Sequence, residues 1–541
     1  MSNLGLQVLY GLLNSYDEVI AERFFVPEDQ CDLEEWRSVE SNHLLSAFDI
    51  ILPSISFETD YLNLVRALYS AKIPIYAKER KDSDSLVIGG GIALLINPEP
   101  VAPFLDAIFL AEAESIMDSF IKILPKLITK SSREAKLSIL LENVPGTYVP
   151  SYYEPIWKDN KLMDWKVKDR LPSKIQVKKV LNHKKIKIAP HSFVLSEEAA
   201  FSNMFLVEVA RGCGRACRFC AAGFVYRPPR PWSPEAIENA ISLAPRNCSI
   251  GLVGLEFVGR EDLNWLIERF LKKGLRLSFS SLRADAINDK FAQLLVQSGV
   301  KTATIAPEAG SKRLRQVINK HLDDQDILNA AEILLSNGIE NLKLYFMMGL
   351  PTETLEDIEE IVELVSKIKK IFLKIGRKRG FLGRITVSVN NFVPKAWTPF
   401  QWAGILKPKE LKKRQKILTK NLRKQANIRL NIESGRNWWI QSILSRGDRR
   451  ISKVIEAVSI QGQTWRKAFK QTRLDETLFI NQRELKEKFP WEIVGHPIKR
   501  EFLEKEWQLA QRAIQTPFCK VGICEKCGAC SKSRKISSIS H

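Results

Sequence analysis

Seven of the nine cysteines fall in two tight groups, and a cysteine thiolate is a natural ligand for soft metals. The first group, Cys213-x3-Cys217-x2-Cys220, stands directly after a strand-like apolar run in FLVEVARGCGRACRFCAAG (205–223). Three thiolates can ligate three irons of a cubane [4Fe–4S] cluster, which leaves the fourth iron with an open coordination site. Such a corner can bind a small molecule and hand it an electron; a cluster closed by four cysteines cannot. Zinc is the competing reading. It asks for four ligands, and no further His or Cys lies close enough in sequence to complete the set.

The second group, Cys519-x4-Cys524-x2-Cys527-x2-Cys530, offers four thiolates within twelve residues. Gly522 and Gly528 permit the tight turns this needs. A second [4Fe–4S] cluster and a structural zinc both satisfy the set. The first would relay electrons or bind substrate, the second would only fix the tail, and the close x2 spacings favour iron–sulfur. Cys31 and Cys248 stand alone and read as buried small hydrophobes. Cysteines this sparse exclude a disulfide scaffold and indicate metal ligation in a reducing compartment, hence a cytoplasmic protein.

The elements that must position these residues follow from apolar periodicity. Over 1–125 helical stretches (4–13, 61–71) alternate with short apolar runs (48–53, 86–89, 106–111). That alternation predicts a doubly wound parallel sheet. The run LVIG (86–89) leads into Gly89, Gly90 and Gly91, and such sheets bind phosphate-bearing ligands at glycine turns on strand carboxyl ends. Residues 126–200, turn-rich at NVPGTYVP (143–150) and Lys-rich at 174–188, read as a linker with some extended structure. Over 201–400, strands are expected at 205–210, 249–255, 275–280, 302–306, 341–348 and 384–391, with helices between them. Six such units predict an (α/β)6 partial barrel with its site at the strands' carboxyl ends. Residues 401–516 read as mainly helical and 517–541 as a four-cysteine metal-binding tail.

Composition sets the bounds. With 541 residues, two or three domains are expected. Hydrophobic residues at 45% and charged residues at 27% fit a folded chain. No apolar run reaches the roughly 18 residues of a bilayer span, so no membrane partner is expected. Lys plus Arg exceeds Asp plus Glu by 82 to 62, a net charge of +20. A surplus of this size favours an acidic partner, RNA above all, although a Lys-rich solvated surface explains it as well. It concentrates in KIKKIFLKIGRKRG (367–380) and PKELKKRQKILTKNLRKQ (408–425).

Longer motifs add a resemblance. RGCxxxCRFCxAGxxYRPxRxxSPE (211–235), SLRAD (281–285), TIAPEAGS (304–311), LKLYFMMGLPTET (342–354), FVPKAWTPFQW (392–402), LSRGDRR (444–450) and FCKVGICEKCGAC (518–530) span nearly the whole chain. Together they resemble the radical S-adenosylmethionine (SAM) superfamily, in the branch with an N-terminal cobalamin-binding-like domain. The resemblance implies an α/β chain with a Rossmann-like N-terminal domain, a radical SAM partial barrel, a helical C-terminal region and a Cys-rich tail. It implies that the cluster of Cys213, Cys217 and Cys220 cleaves SAM to methionine and a 5′-deoxyadenosyl radical, fed by a donor such as flavodoxin or ferredoxin. It implies Phe219 near the adenine, Ser281, Arg283 and Glu308 around the ribose and methionyl groups, and Gly349 and Pro351 against the adenine. Glu256, after Gly251 and Gly254, is the nearest match to a Gly-Gly-Glu turn.

Gly89–Gly91, NPEP (97–100) and AEAE (111–114) resemble the corrin nucleotide-tail site of that branch. No Asp-x-His-x-x-Gly occurs, and His43, the one histidine before residue 182, is expected on the surface. The domain therefore either binds cobalamin or only supports the barrel. Relatives carry a further first strand before residue 1, so a start codon set too late is expected. For function, the readings are radical chemistry on RNA or a ribosome-associated protein, the same chemistry on a small metabolite or peptide, and a non-catalytic metal-bearing RNA-binding module.

Overall fold

The computed structural model describes residues 3–26, 36–254, 261–279, 282–521 and 524–530. Cys31, Glu256, Ser281 and Gly522 lie outside the described residues. The chain forms two compact units, and neither is contiguous. One comprises 182–439 and the described residues from 498 on; the other comprises 5–181 and 440–497.

In the first unit all six expected strands form, as Met204–Glu208, Ser249–Val253, Arg276–Phe279, Thr302–Glu308, Asn341–Met348 and Ile385–Asn391. A seventh, Ile428–Ile432, lies within the region expected to be helical and pairs in parallel with Ile385–Asn391. Every pairing in the two runs of strands is parallel. A parallel bridge, Leu282 to Ile305, joins one run to the other. Strand Asn341–Met348 shows the logic of the barrel wall. Leu342, Leu344, Phe346 and Met348 are buried and alternate with half-buried Lys343, Tyr345 and Met347, the period-2 pattern of a strand with two unlike faces. Helix Leu355–Arg379 starts with a capping box between Thr354 and Asp357 and ends at Gly380 in the left-handed region. Its carboxyl-terminal turn carries Arg377, Lys378 and Arg379, where cations complement the helix dipole.

The second unit carries the expected parallel strands, Ile50–Ile51, Leu86–Gly89 and Ala107–Phe109, joined by antiparallel Thr147–Tyr148. The linker expected over 126–200 is not one. Residues to 181 are folded into this unit, with helix Arg133–Asn143 capped by Ser132 and a hairpin of Tyr153–Lys158 with Lys161–Val167. Residues 440–497 also belong here rather than to a single C-terminal region. Asn97 donates to the carbonyls of Ser445 and Gly447, and Tyr76 donates to Glu456 at 2.6 Å. Arg449 pairs with buried Glu99 at 2.7 Å, and Glu99 also accepts from buried Tyr148 at 2.6 Å. Such return contacts leave no mark in local periodicity. Among the described residues, no helix is long and apolar enough to cross a membrane.

Candidate active site at the carboxyl ends of the barrel strands

Strand Met204–Glu208 delivers the chain to the first cysteine group. A short antiparallel ladder, Ala210–Arg211 with Arg230–Pro231, then closes the loop at its base. Glu208 braces that base, accepting from Arg211 at 2.7 Å and from the Trp232 indole at 3.2 Å. Gly212 has φ +83°, and a Cβ there would lie 2.9 Å from the Tyr226 carbonyl, so this entry into the loop requires glycine. Cys213, Cys217 and Cys220 are all reduced and partly accessible.

The surroundings suit an anionic cluster. The Arg215 N–H donates to the Cys213 sulfur at 3.4 Å, and the N–H groups of Gly223 and Ala222 point at the Cys220 sulfur. Burial pushes the Cys217 thiol up, as it does the Cys220 thiol, where the Cys217 charge adds to it. At Cys217 this is opposed by the cations of Lys320, Arg283 and Arg215. An incoming metal displaces the thiol protons and offsets the cost of burying the thiolates. Among the described residues, no group of three or more His, Cys, Asp and Glu is gathered on a single-ion site. The thiolates of a cubane each hold a different iron, so the donor set fits a cluster with one open corner.

The same mouth gathers several of the expected residues. Glu308 ends strand Thr302–Glu308 in the left-handed region, φ +69°, where the strand's register with its neighbour shifts. A non-glycine residue held there stores strain of order 1–3 kcal/mol, a feature that clusters at functional sites. Its carboxylate pairs with Lys320 at 3.1 Å. Lys320 lies between Asn319 and His321, both also left-handed, and its charge is felt at Cys217. No motif flagged Lys320; only the unusual backbone on either side of it, invisible in sequence, aims it at the cysteines. Arg283 is held by Asp285, with Nε donating at 2.9 Å. Phe219 is half-buried in the loop itself.

Gly349 follows strand Asn341–Met348 with φ +87°. The Gly349 N–H donates to both carboxylate oxygens of Glu353 at 2.9 Å, and Arg414 donates to the same carboxylate at 2.8 Å. Burial pushes the Glu353 carboxyl up to about 7 against these donors. Glu353 and Arg414 thus fix the turn that carries Gly349 and half-buried Pro351. Gly251 and Gly254 serve packing instead: a Cβ at either would lie 2.7 or 2.8 Å from side chains of Met204, Leu206 or Val209.

Arg218, between two of the cysteines, ties the loop down. It is fully buried and donates to Glu506 at 3.0 Å and to the carbonyls of Gln316, Val317 and Ile514 at 3.2, 2.9 and 2.7 Å. The tail that follows Ile514 lies along this loop. Asn319 accepts from Thr516 N–H at 2.9 Å, His321 donates to the Thr516 carbonyl at 2.8 Å, and Phe518 lies beneath Arg215 at 4.4 Å. The Cys519 N–H donates to the Gly214 carbonyl at 2.8 Å. Burial raises the Cys519 thiol, and Cys527, Cys530 and Cys524 add to the effect.

In the other unit the three glycines have separate reasons. A Cβ on Gly91, φ +109°, would lie 2.3 Å from the Ile55 carbonyl oxygen, and one on Gly89 would meet Leu105 and Leu94. Gly90 has open space beyond it. Glu99 of NPEP is engaged by Arg449 and Tyr148, and Glu112 accepts from the Val180 N–H at 2.8 Å. His43 is exposed, as expected.

Comparison with known proteins places this geometry. Residues 207–365 match the model of the radical SAM superfamily, and 5–150 match that of the N-terminal region of radical SAM proteins. The chain is 32% identical to an uncharacterized protein, MJ0966, of Methanocaldococcus jannaschii, over 84% of its own length and 88% of the relative's. It is 22% identical to an anaerobic magnesium-protoporphyrin IX monomethyl ester cyclase of Rubrivivax gelatinosus, over 55% of this chain and 52% of that one. Among solved structures it is similar to the radical SAM methyltransferase TsrM of Kitasatospora setae, solved with cobalamin and a [4Fe–4S] cluster bound. That likeness covers 79% of this chain and 88% of that one at 11% identity and a TM-score of 0.45.

Proposed function

Since the chain belongs to the radical SAM superfamily, we propose that Cys213, Cys217 and Cys220 hold its [4Fe–4S] cluster and that its radical chemistry acts on an unactivated C–H position of RNA. The protein is an enzyme, a transferase or oxidoreductase, with SAM and the cluster as cofactors. When bound there, the cluster would supply the single electron needed to break a C–S bond of SAM, giving methionine and a 5′-deoxyadenosyl radical.

The protein's own residues bind and orient. The observation that carries the reading is the meeting of Cys217, Lys320, Glu308 and Arg283 at one strand-end mouth. The methionyl end of SAM bears an ammonium and a carboxylate, and Glu308 and Lys320 present the two opposite charges side by side. Arg283, held by Asp285, stands ready for the carboxylate or ribose, a role shared with Ser281. Gly349 and Pro351, on the turn that Glu353 fixes, and Phe219 would hold the adenine. Burial of these groups lowers the local dielectric and strengthens each charge contact.

RNA is favoured by the placement of the cations. Helix Pro408–Leu422 buries Leu411, Leu418 and Leu422 and exposes Lys409, Lys412, Lys413, Lys416 and Lys420. The neighbouring helix Leu355–Arg379 exposes Lys367, Lys370, Lys374 and Lys378 at one-turn intervals. Phosphate contacts of this kind release counterions, so retention of RNA by the holoenzyme should fall steeply with salt. Lys412→Glu/Lys416→Glu/Lys420→Glu should flatten that dependence. Reductive SAM cleavage that is lost in Cys217→Ala supports the enzyme reading, and RNA binding indifferent to salt would move the substrate to a small metabolite or peptide. Cobalamin in the other unit rests on the sequence resemblance and on the opening at Gly90; uptake of a corrinoid by anaerobic protein tests it.

A further inference from the structure

The four-cysteine tail is built onto the first cluster's own loop. Cys519 and Gly214 share a hydrogen bond of 2.8 Å, and Gly214 is the neighbour of Cys213. One peptide contact therefore separates the two ligand sets. Phe518, the residue before Cys519, stacks between Arg215 and His321, at 4.4 Å from each. Cys527 and Cys530 are buried, and the Cys527 carbonyl accepts from the Lys499 N–H at 2.9 Å, where helix Arg500–Gln511 begins.

The chain just before this segment is held by side chains of the barrel unit. Arg218, Asn319, His321 and Glu506 already anchor residues 514–516 through hydrogen bonds of 2.7 to 3.0 Å. Spacing favours iron–sulfur over zinc. Zinc draws four sulfurs to about 2.3 Å from one point, most simply as two separate C-x2-C pairs, whereas C-x4-C-x2-C is a spacing that wraps iron–sulfur clusters. Here three successive cysteines stand at x2 intervals after an x4 interval. Each thiolate then has its own iron to reach.

We propose that Cys519, Cys524, Cys527 and Cys530 hold a second iron–sulfur cluster through which reducing electrons enter, one at a time, on the way to the cluster of Cys213, Cys217 and Cys220. The inference rests on the first-site reading given above. A low-potential one-electron donor of the flavodoxin or ferredoxin class is oxidised by one electron. The tail cluster gains that electron and passes it on, returning to its starting oxidation state. The electron ends in the broken C–S bond of SAM.

The test starts from the full-length protein, reconstituted anaerobically with iron and sulfide in the presence of zinc. Wild type should bind about eight irons per chain and almost no zinc, and Cys213→Ala/Cys217→Ala/Cys220→Ala should keep about four. Rapid-freeze electron paramagnetic resonance of wild type mixed with reduced flavodoxin should show the tail cluster's signal, assigned from that triple variant, before the first cluster's. In Cys524→Ala/Cys527→Ala the ratio of flavodoxin-driven to dithionite-driven SAM cleavage should fall at least about tenfold.

A zinc that persists in the triple variant overturns the proposal, as does a first-cluster signal that leads or an unchanged ratio. The two readings fail separately. A triple variant that keeps its iron while wild type cleaves no SAM sinks only the first-site reading. Wild type with about four irons, all lost in the triple variant, sinks only the second.

Discussion

Replacing Arg218 by Met should cost about 3–5 kcal/mol, because it leaves the Glu506 carboxylate buried without its cation. Both side chains are nearly sealed from solvent, at 0% and 7% exposure, so water cannot screen the loss. Three carbonyls, of Gln316, Val317 and Ile514, lose a donor in addition. At about 1 kcal/mol each they raise the ceiling to roughly 6–8 kcal/mol. The tail can lift to let water reach Glu506, which brings the expected cost back to the lower range. Met matches the volume of the arginine stem, so cavity formation adds little. Anaerobic urea unfolding of the holoenzyme reads the loss. Glu506→Gln in the Arg218→Met background removes the orphaned charge and should recover about 2 kcal/mol of it. A cost for Arg218→Met below about 1 kcal/mol, or no recovery in the double variant, would refute the claim that this ion pair ties the cysteine loop to the tail.

Three further outcomes are expected. His496 is buried, its Nε2–H donates to the Leu95 carbonyl at 2.7 Å, and burial with Lys179 nearby holds it down at about 3. The unfolded chain takes up a proton near pH 6.5 that the folded one refuses, so stability falls as pH drops below 6.5. Between pH 7 and 5 this amounts to about 2 kcal/mol, and His496→Gln should be less acid-sensitive by that amount in parallel unfolding curves. Glu353→Gln puts an amide donor against the Gly349 N–H; SAM affinity in equilibrium dialysis should weaken about tenfold, and an unchanged Kd would clear Glu353 of the role. Gly310→Ala sets a Cβ 2.2 Å from the Ile361 nitrogen. Backbone cannot yield as a side chain does, so a loss of about 3 kcal/mol or more is expected in thermal unfolding, and near-wild-type stability would count against that packing.

The barrel was legible in sequence because each strand is a short apolar run between helical stretches, and 341–348 matches its expected bounds to the residue. The cysteine loop was legible because metal ligation leaves a spacing. Lys320 was not: its role comes from left-handed backbone at Asn319 and His321 and from an ion pair with Glu308, none of which has a local signature. Strand Ile428–Ile432 was missed because its neighbours are helical and it is only five residues long, although Ile428, Leu430 and Ile432 alternate with exposed Arg429 and Asn431. The linker expected over 126–200 failed for a related reason. The hairpin Tyr153–Lys158 with Lys161–Val167 exposes Glu154, Lys158, Lys161, Asp164 and Lys166, charges that imitate a connecting segment.

The interleaving of the two units carries a consequence for how the molecule is made. On the ribosome, the N-terminal portion emerges first but lacks Arg449, the cation that its buried Glu99 requires. The barrel strands follow, yet Glu506, the counter-charge of Arg218, arrives 288 residues after it. Each unit therefore waits with a charge unmatched until its own returning segment is made. Completion of each unit should wait on that segment, and a nascent chain stalled before residue 440 should be held by chaperones or degraded rather than accumulate as a folded fragment.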